Sequence, residues 1–188
     1  MNTAKLLPGI DTPARIAATC ALGAGIEAAM AWRFGWSPAL PAYLALGAAS
    51  AVVTVTDLAT RKIPEAIMLP SYPLAAVLLA VASASRGQWW ALARGSIAMA
   101  SLVGFYLVLG LALPTQFGIG DIELGALLGL YLGWLGWSAL SSGTLAAWLL
   151  AALALPAHHL LDHGARRRAL AAGPFLVAGA LVAVLLSS

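Results

Sequence analysis

Charged residues are scarce in this chain of 188 residues. Asp, Glu, Lys and Arg together make up 9% of it, whereas hydrophobic residues make up 62%. Soluble domains carry about 25% charged residues, so a soluble globular fold is excluded and an integral membrane protein is predicted. The net charge of +3 is therefore interpreted as a matter of membrane topology, and we expect membrane lipid rather than nucleic acid as a partner.

Cysteine is nearly absent. The single Cys20 excludes an intrachain disulfide, and its apolar surroundings favour a packing role. A signal peptide is not expected either, because Pro8, Asp11 and Pro13 interrupt the N-terminal residues. We expect residues 1–15 to form a short cytoplasmic tail.

Apolar residues, by contrast, are abundant and form long runs. A membrane-spanning helix needs about 20 of them. Lipid offers no partners to backbone polar groups, so each run is expected to be an α-helix. The predicted fold is an all-α, polytopic integral membrane helix bundle whose single domain covers residues 16–188. The seven predicted spans are residues 16–34, 38–56, 66–84, 91–113, 122–140, 143–161 and 170–187.

Small and aromatic residues have telling positions in these runs. Gly125, Gly129 and Gly133 are spaced four apart, and small residues let helices approach closely in lipid, so they predict a packing face. Tryptophans near the ends of spans are typical interfacial anchors. We predict this role for Trp89, Trp90, Trp134 and Trp137.

The basic residues predict the orientation. With the N-terminus inside, seven of them lie on the inner side and three on the outer side, which satisfies the positive-inside rule. The connections 57–65 and 114–121 then face the cytoplasm. The inner residues are Lys5, Arg15, Arg61, Lys62, Arg166, Arg167 and Arg168, and the outer ones are Arg33, Arg86 and Arg94.

Acidic residues are also few, seven in all, and two of them lie at the cytoplasmic ends of apolar runs. Asp57 closes the second run and Asp121 opens the fifth. Two close carboxylates share a proton; the ionised one can then take a proton from water while the other donates to a carbonyl oxygen. This pair predicts amide hydrolysis with no metal and no cofactor. The alternative is that each aspartate caps a helix or lies in the headgroup layer.

Glycines beside Asp121 favour the catalytic interpretation. Gly118 and Gly120 allow backbone angles that are closed to other residues and let a substrate strand approach. Pro114 is expected to end the fourth helix just before them.

Three sequence elements in order resemble the prepilin leader peptidase family. Asp57 is followed six and seven residues later by Ile63 and Pro64, residues 118–121 read Gly-Ile-Gly-Asp, and residues 173–175 read Gly-Pro-Phe. The spacing of 64 residues between the two aspartates also fits that family. The resemblance covers about residues 38–187.

The resemblance implies an aspartic endopeptidase of the bacterial cytoplasmic membrane. Such an enzyme cuts the basic leader from type IV pilin-like precursors at the cytoplasmic face, and these precursors are the expected partners. Asp57 and Asp121 would be the catalytic pair. The active loop and substrate-binding region would contain Gly118, Gly120, Pro64, Gly173, Pro174, Glu65 and Glu123, the two glutamates attracting the basic leader.

The chain departs from the family pattern around the aspartates. Glu65 stands where the family usually has Asn, Glu123 where it usually has Lys, and Ala171-Ala172 where it often has Pro-Phe. The cysteine-containing cytoplasmic domain of larger members is absent, so N-terminal methylation of the product is left open. These differences concern the choice of substrate more than the type of reaction.

Two other classes of function stay open. A small transporter or channel could use the aspartates as an ion or proton site, and an inactive pilus-assembly component could bind pilins without cutting them. Presenilin-like proteases also carry Gly-x-Gly-Asp, but the Ile-Pro element and the short chain favour the pilin type.

Other polar residues have simpler interpretations. Glu27, within the first span, is expected to pair with an arginine or to contact a neighbouring helix. Arg166–Arg168 would repel a cation from the nearby histidines, so that region is expected to be a solvated connection rather than a metal site. The cluster in question is His158, His159, Asp162 and His163.

Overall fold

The computed structural model describes residues 9–113, 118–161 and 171–187, without the side chains of residues 156–161. Across these three ranges the chain forms seven α-helices and no β-strand, which confirms the predicted all-α bundle. The helices are α1 (Pro13–Phe34), α2 (Leu40–Thr60), α3 (Glu65–Arg86), α4 (Trp89–Ala112), α5 (Ile119–Leu135), α6 (Trp137–Leu161) and α7 (Gly173–Leu186).

Five of the described helices are long and apolar enough to cross a membrane by length and composition. They are α1, α2, α3, α4 and the part of α6 from Trp137 to Leu155. Helices α5 and α7 have 17 and 14 residues, which is less than the 20 or so that a full span needs.

The boundary between the fifth and sixth helices differs from the prediction. The fifth run was expected to reach residue 140, but α5 ends at Leu135 and α6 begins at Trp137. Gly136 separates them with extended backbone, φ 164° and ψ 165°. Because the residues on both sides of Gly136 are apolar, hydropathy alone carries no signal for this break.

Helix α5 lies at the centre of the bundle. Every residue from Leu124 to Trp134 is buried, as expected for a helix that is apolar all round. Its glycine stripe packs against α4, because a Cβ added at Gly129 or Gly133 would lie 3.0 Å from a backbone atom of α4. The predicted packing face is thus confirmed: Gly125 lies against Tyr106, Gly129 against Met99 and Gly133 against Gly95.

A second close contact holds α7 to α6. A Cβ added at Gly143 would lie 3.0 Å from Ala183 Cβ and 3.4 Å from the carbonyl oxygen of Gly179. Such glycine contacts allow two helix backbones to approach closely in the absence of a hydrophobic driving force. They place α7 where its first residue reaches the end of α2.

The helices alternate in direction, so the bundle has two distinct ends. At one of them α2 ends while α3, α5 and α7 begin; it carries Asp57 and Asp121 and is called the aspartate end. Gly9 packs there against Thr60, just before α1. Residues 1–8 of the expected tail lie outside the described residues.

The opposite end is called the tryptophan end. Its exposed indole rings are those of Trp32, Trp36, Trp89, Trp90 and Trp137. Trp134 is only 5% exposed, and its Nε1 donates a hydrogen bond to Ser83 Oγ at 2.9 Å. The prediction that Trp134 is an interfacial anchor is therefore wrong, because α5 is too central for its side chain to reach lipid.

Candidate active site at the aspartate end

Asp57 occupies the last turn of α2 and is 5% exposed. Its Oδ2 accepts a hydrogen bond of 2.9 Å from the backbone N–H of Gly173, the first residue of α7. That amide lies at a helix N-terminus, where the partial positive charge of the helix favours a carboxylate. A Cβ at residue 173 would lie 2.6 Å from the same oxygen, so only glycine fits at this position.

Asp121 occupies the first turn of α5 and caps its own helix. Its Oδ2 accepts a hydrogen bond of 2.9 Å from the N–H of Gly118, and its own N–H donates to the Gly118 carbonyl at 3.1 Å. This reciprocal arrangement resembles half of a capping box. The capping role that the sequence left as an alternative is thus present, and it holds the carboxylate in a defined position.

The two aspartates are 64 residues apart in sequence, and the structure brings them together from two different helices. Asp57 and Asp121 are close enough for their charges to interact. Each carboxylate is held through Oδ2 by one backbone amide. Within the three described ranges no hydrogen-bond donor engages either Oδ1, so these two atoms are available to a water molecule or a substrate.

The connection between α2 and α3 contains Ile63 and Pro64, and it brings them against the Gly-x-Gly-Asp element. Arg61 ends α2 in the left-handed region, with φ 55° and ψ 35°, and the buried Pro64 precedes α3. Ile63 then packs against Gly120, where an added Cβ would lie 3.0 Å from Ile63 Cβ. The Ile-Pro and Gly-x-Gly-Asp elements are therefore in direct contact.

One of the two expected reasons for the glycines before Asp121, unusual backbone angles, is wrong, whereas the approach of a substrate strand stays a prediction. Gly118 has ordinary extended backbone, φ −99° and ψ 170°, and Gly120 lies in the first turn of α5 without a positive φ. Glycine at 120 is required by the closeness of Ile63 rather than by backbone angle. Helix α4 ends at Ala112, and Pro114 lies outside the described residues.

Charges of both signs surround the aspartates. Glu65 is exposed in the first turn of α3, Glu123 is half-buried two residues after Asp121, and Arg61 and Lys62 are exposed. The charge of Arg61 acts on Asp57. The two glutamates that are expected to attract a basic leader therefore lie near two cations. The substrate-binding roles of Glu65, Glu123 and Pro174 stay predictions.

Two tyrosines near the site were not predicted from the sequence. The Tyr72 hydroxyl donates a hydrogen bond of 2.7 Å to the carbonyl oxygen of Glu123, which ties α3 to the first turns of α5. Tyr106 is buried against Gly125 and lies near enough to Asp121 to feel its charge. A sequence signal for them exists, because a tyrosine within an apolar run carries a hydroxyl group that requires a hydrogen-bond partner when it is buried.

The remaining polar candidates lie elsewhere. Glu27 contacts Gly47 of α2, which agrees with a contact between helices and places it away from the aspartates. The side chains of His158 and His159, and all of residues 162–170, lie outside the described residues, so the interpretation of that cluster stays a prediction.

Comparison with known proteins adds one finding. The sequence profile of the type IV leader peptidase family matches residues 44–159, which is more than half of the chain and includes both aspartates. No curated protein and no solved structure matches the chain significantly. The Gly-Pro-Phe element lies beyond the matched range, so its place at the site depends on the contact between Gly173 and Asp57.

Proposed function

The chain belongs to the type IV leader peptidase family, and we propose that it is an aspartic endopeptidase with Asp57 and Asp121 as its catalytic pair. Its substrates are type IV pilin-like precursors, from which it removes the leader peptide. One observation carries the proposal. Three elements distant in sequence meet at one end of the bundle, through Gly173 on Asp57 and Ile63 on Gly120.

The geometry suits activation of water by two carboxylates. Each Oδ2 is held by a backbone amide, which leaves each Oδ1 for the reaction. The ionised aspartate takes a proton as the water oxygen attacks the peptide carbonyl carbon, and the protonated one donates to the carbonyl oxygen. As the tetrahedral intermediate collapses, the C–N bond breaks and a proton passes to the leaving nitrogen. The chemistry requires no covalent intermediate.

The direction of the bundle in the membrane is part of the proposal. Among the described residues each end of the bundle carries three basic side chains. The direction therefore depends on Lys5 and Arg166–Arg168, which the sequence assigns to the same side as the aspartates, and an excess of basic residues favours the cytoplasmic side. Exposed tryptophans at the other end are typical of a membrane interface. The active site then faces the cytoplasm of a bacterial cell, where the leader of a membrane-inserted precursor is accessible.

The test is cleavage of a candidate precursor co-expressed with the full chain. Asp57→Asn and Asp121→Asn should each reduce cleavage by about 10²–10⁴-fold or more, because either change removes the shared proton. Glu27→Gln is the matched control, since it also converts a carboxylate within a helix to an amide but lies away from the aspartates. Leader removal should be followed by the shift in mass of the precursor.

The outcomes separate the alternatives. Cleavage that survives both aspartate substitutions would show that the catalytic assignment is wrong. A precursor that co-purifies with the wild-type chain but is never cut would indicate an inactive assembly component. Glu27→Gln should cleave as the wild type does, provided that it reaches the membrane in equal amount.

A further inference from the structure

Three arginines converge on one cavity at the tryptophan end. Arg33 comes from the last turn of α1, Arg86 from the last turn of α3 and Arg94 from the second turn of α4. Together with Phe34 and Trp134 they line a cavity of about 670 Å³. The positive-inside rule predicts that these arginines lie on the same side of the membrane, but nothing in the sequence predicts that they share a cavity.

Two of the three guanidinium groups are held by helix C-termini. Arg94 donates from Nε to the carbonyl of Gly133 at 2.7 Å and from Nη2 to that of Trp134 at 2.6 Å. Arg33 donates in the same way from Nε to the carbonyl of Val184 at 3.2 Å and from Nη2 to that of Ser187. Both side chains are thereby fixed in position before any ligand arrives.

Donors remain unused on all three arginines. To the part of the chain that the structure describes, Arg86 makes a single hydrogen bond, from Nη2 to Ser37 Oγ at 2.6 Å. Over residues 9–113, 118–161 and 171–187, no acceptor engages the Nη1 group of Arg33, Arg86 or Arg94, and no carboxylate forms an ion pair with any of them. Unpaired arginine forks in fixed positions are suited to phosphate or carboxylate.

The helix ends offset only part of these charges. At the tryptophan end α1, α3, α5 and α7 finish while α2, α4 and α6 begin. Each terminus carries about half an elementary charge, negative where a helix finishes and positive where it begins. Four finishing and three beginning helices leave about half a negative charge, which is less than the charge of the three arginines. The cavity therefore retains an excess of positive charge that an anion would balance.

The level of the cavity indicates where the anion comes from. Trp90 lines the cavity and is 66% exposed, and Trp89 beside it is also exposed. Exposed tryptophans lie at the level of lipid headgroups. We propose that this arginine cavity binds the phosphate group of an anionic phospholipid in the leaflet opposite the aspartates, with Phe34 and Trp134 forming its apolar wall.

The experiment measures lipid binding by the full chain, purified in a non-ionic detergent and stripped of lipid. Phosphatidylglycerol is titrated and followed by thermal unfolding and by native mass spectrometry. Arg86→Gln should weaken binding by about tenfold, the effect of losing one charged hydrogen-bond donor to phosphate. Arg15→Gln is the matched control, because it removes the same charge at the aspartate end and should bind as the wild type does.

Arg86 is chosen because it forms no hydrogen bond with the C-terminus of another described helix, so that its substitution leaves those helix ends intact. Arg33 and Arg94 each hold the C-terminus of another helix, so their removal could unfold the bundle. Arg33→Lys and Arg94→Lys serve as second variants, since they retain charge but lose the fork, and each should also bind phosphatidylglycerol less tightly than the wild type. Equal affinity in the wild type and in Arg86→Gln would overturn the proposal, as would no preference for phosphatidylglycerol over phosphatidylcholine.

A further arm identifies the source of the phosphate. Inorganic phosphate and glycerol 3-phosphate are added at millimolar concentration without lipid. If they stabilise the wild type as phosphatidylglycerol does, and lose this effect in Arg86→Gln, the cavity takes soluble phosphate. If only the lipid stabilises the chain, the headgroup is the source. Neither result depends on peptidase activity.

Discussion

The two ends of the bundle hold the same two short helices in opposite ways. At the aspartate end, Asp57 accepts from the first amide of α7 and Asp121 from the amide before α5. At the tryptophan end, Arg33 donates to the last carbonyls of α7 and Arg94 to those of α5. In both α5 and α7 an acidic side chain binds the N-terminus and a basic side chain binds the C-terminus, as the partial charges of helix ends favour.

The comparison shows why α5 and α7 need side-chain partners. These helices are the shortest of the seven described, and at each of their ends a charged side chain forms a hydrogen bond with a backbone group. Buried polar groups without partners are costly, so charged side chains from α1, α2 and α4 satisfy them. At one end this need coincides with the proposed catalytic pair, and at the other it leaves arginine donors free for an anion.

After the two aspartates themselves, the largest effect on the aspartate end is expected from Gly173→Ala. Its Cβ would lie 2.6 Å from Asp57 Oδ2, so either the hydrogen bond breaks or the carboxylate moves. A displacement of this size should lower the rate of leader cleavage by about 10²-fold while the helical circular dichroism stays unchanged. Gly104→Ala is the control, since no atom lies within 4 Å of a Cβ at that position. Full activity in Gly173→Ala would remove Gly173 from the site.

Next in size is a change at the tryptophan end, Arg94→Gln. It leaves the carbonyls of Gly133, Trp134 and Leu135 without their donor. We expect the free energy of unfolding to fall by about 2–3 kcal/mol, the range for hydrogen bonds to a charged group. The thermal unfolding midpoint in detergent measures this change. Cleavage per folded molecule should be unaltered, and a loss of activity at full stability would contradict the separation of the two ends.

A moderate effect is expected from Gly120→Ala, and it tests the corrected reason for the glycines. The added Cβ would lie 3.0 Å from Ile63 Cβ, so the α2–α3 connection must shift and cleavage should fall by about tenfold. Combining it with Ile63→Ala, which removes the two more distant contact atoms, should restore part of the rate.

Gly118→Ala is the matched comparison for that experiment. Its nearest neighbour would be 3.9 Å away and its φ of −99° suits any residue, so its effect should be small. If Gly118→Ala proved the more harmful change, backbone freedom rather than close packing would be the reason for the glycines.

The smallest effect is expected from reversing charge on the rim of the site. Glu65→Lys with Glu123→Lys should slow the processing of basic leaders a few-fold, because attraction of the leader by exposed charges is weak and screened by salt. The measurement is kcat/KM at low and high ionic strength for a basic leader and for a neutral one. If the wild type and the double variant had the same kcat/KM for the basic leader at low salt, the two glutamates would have no role in attracting it.

The site was partly predictable from residue order. Asp57 and Asp121 were predicted to share one level because both lie at ends of apolar runs on the same side, and the structure brings them together. The wrong reason given for Gly118 and Gly120 shows the limit of that approach. A glycine required by a neighbour 57 residues earlier in sequence, as Gly120 is by Ile63, looks the same in a sequence as one required by its own backbone angles.

Residue order alone predicts a helical membrane bundle with seven helices, which the described residues form, and predicts that the two aspartates lie at the same end of it. Those properties depend on apolar runs of sufficient length and on charges between them, which are local features. The packing of the helices, by contrast, makes α5 central, brings Gly173 to Asp57 and gathers three arginines around one cavity. Such facts depend on which helix faces pack together, and packing between distant segments leaves no periodic trace in residue order.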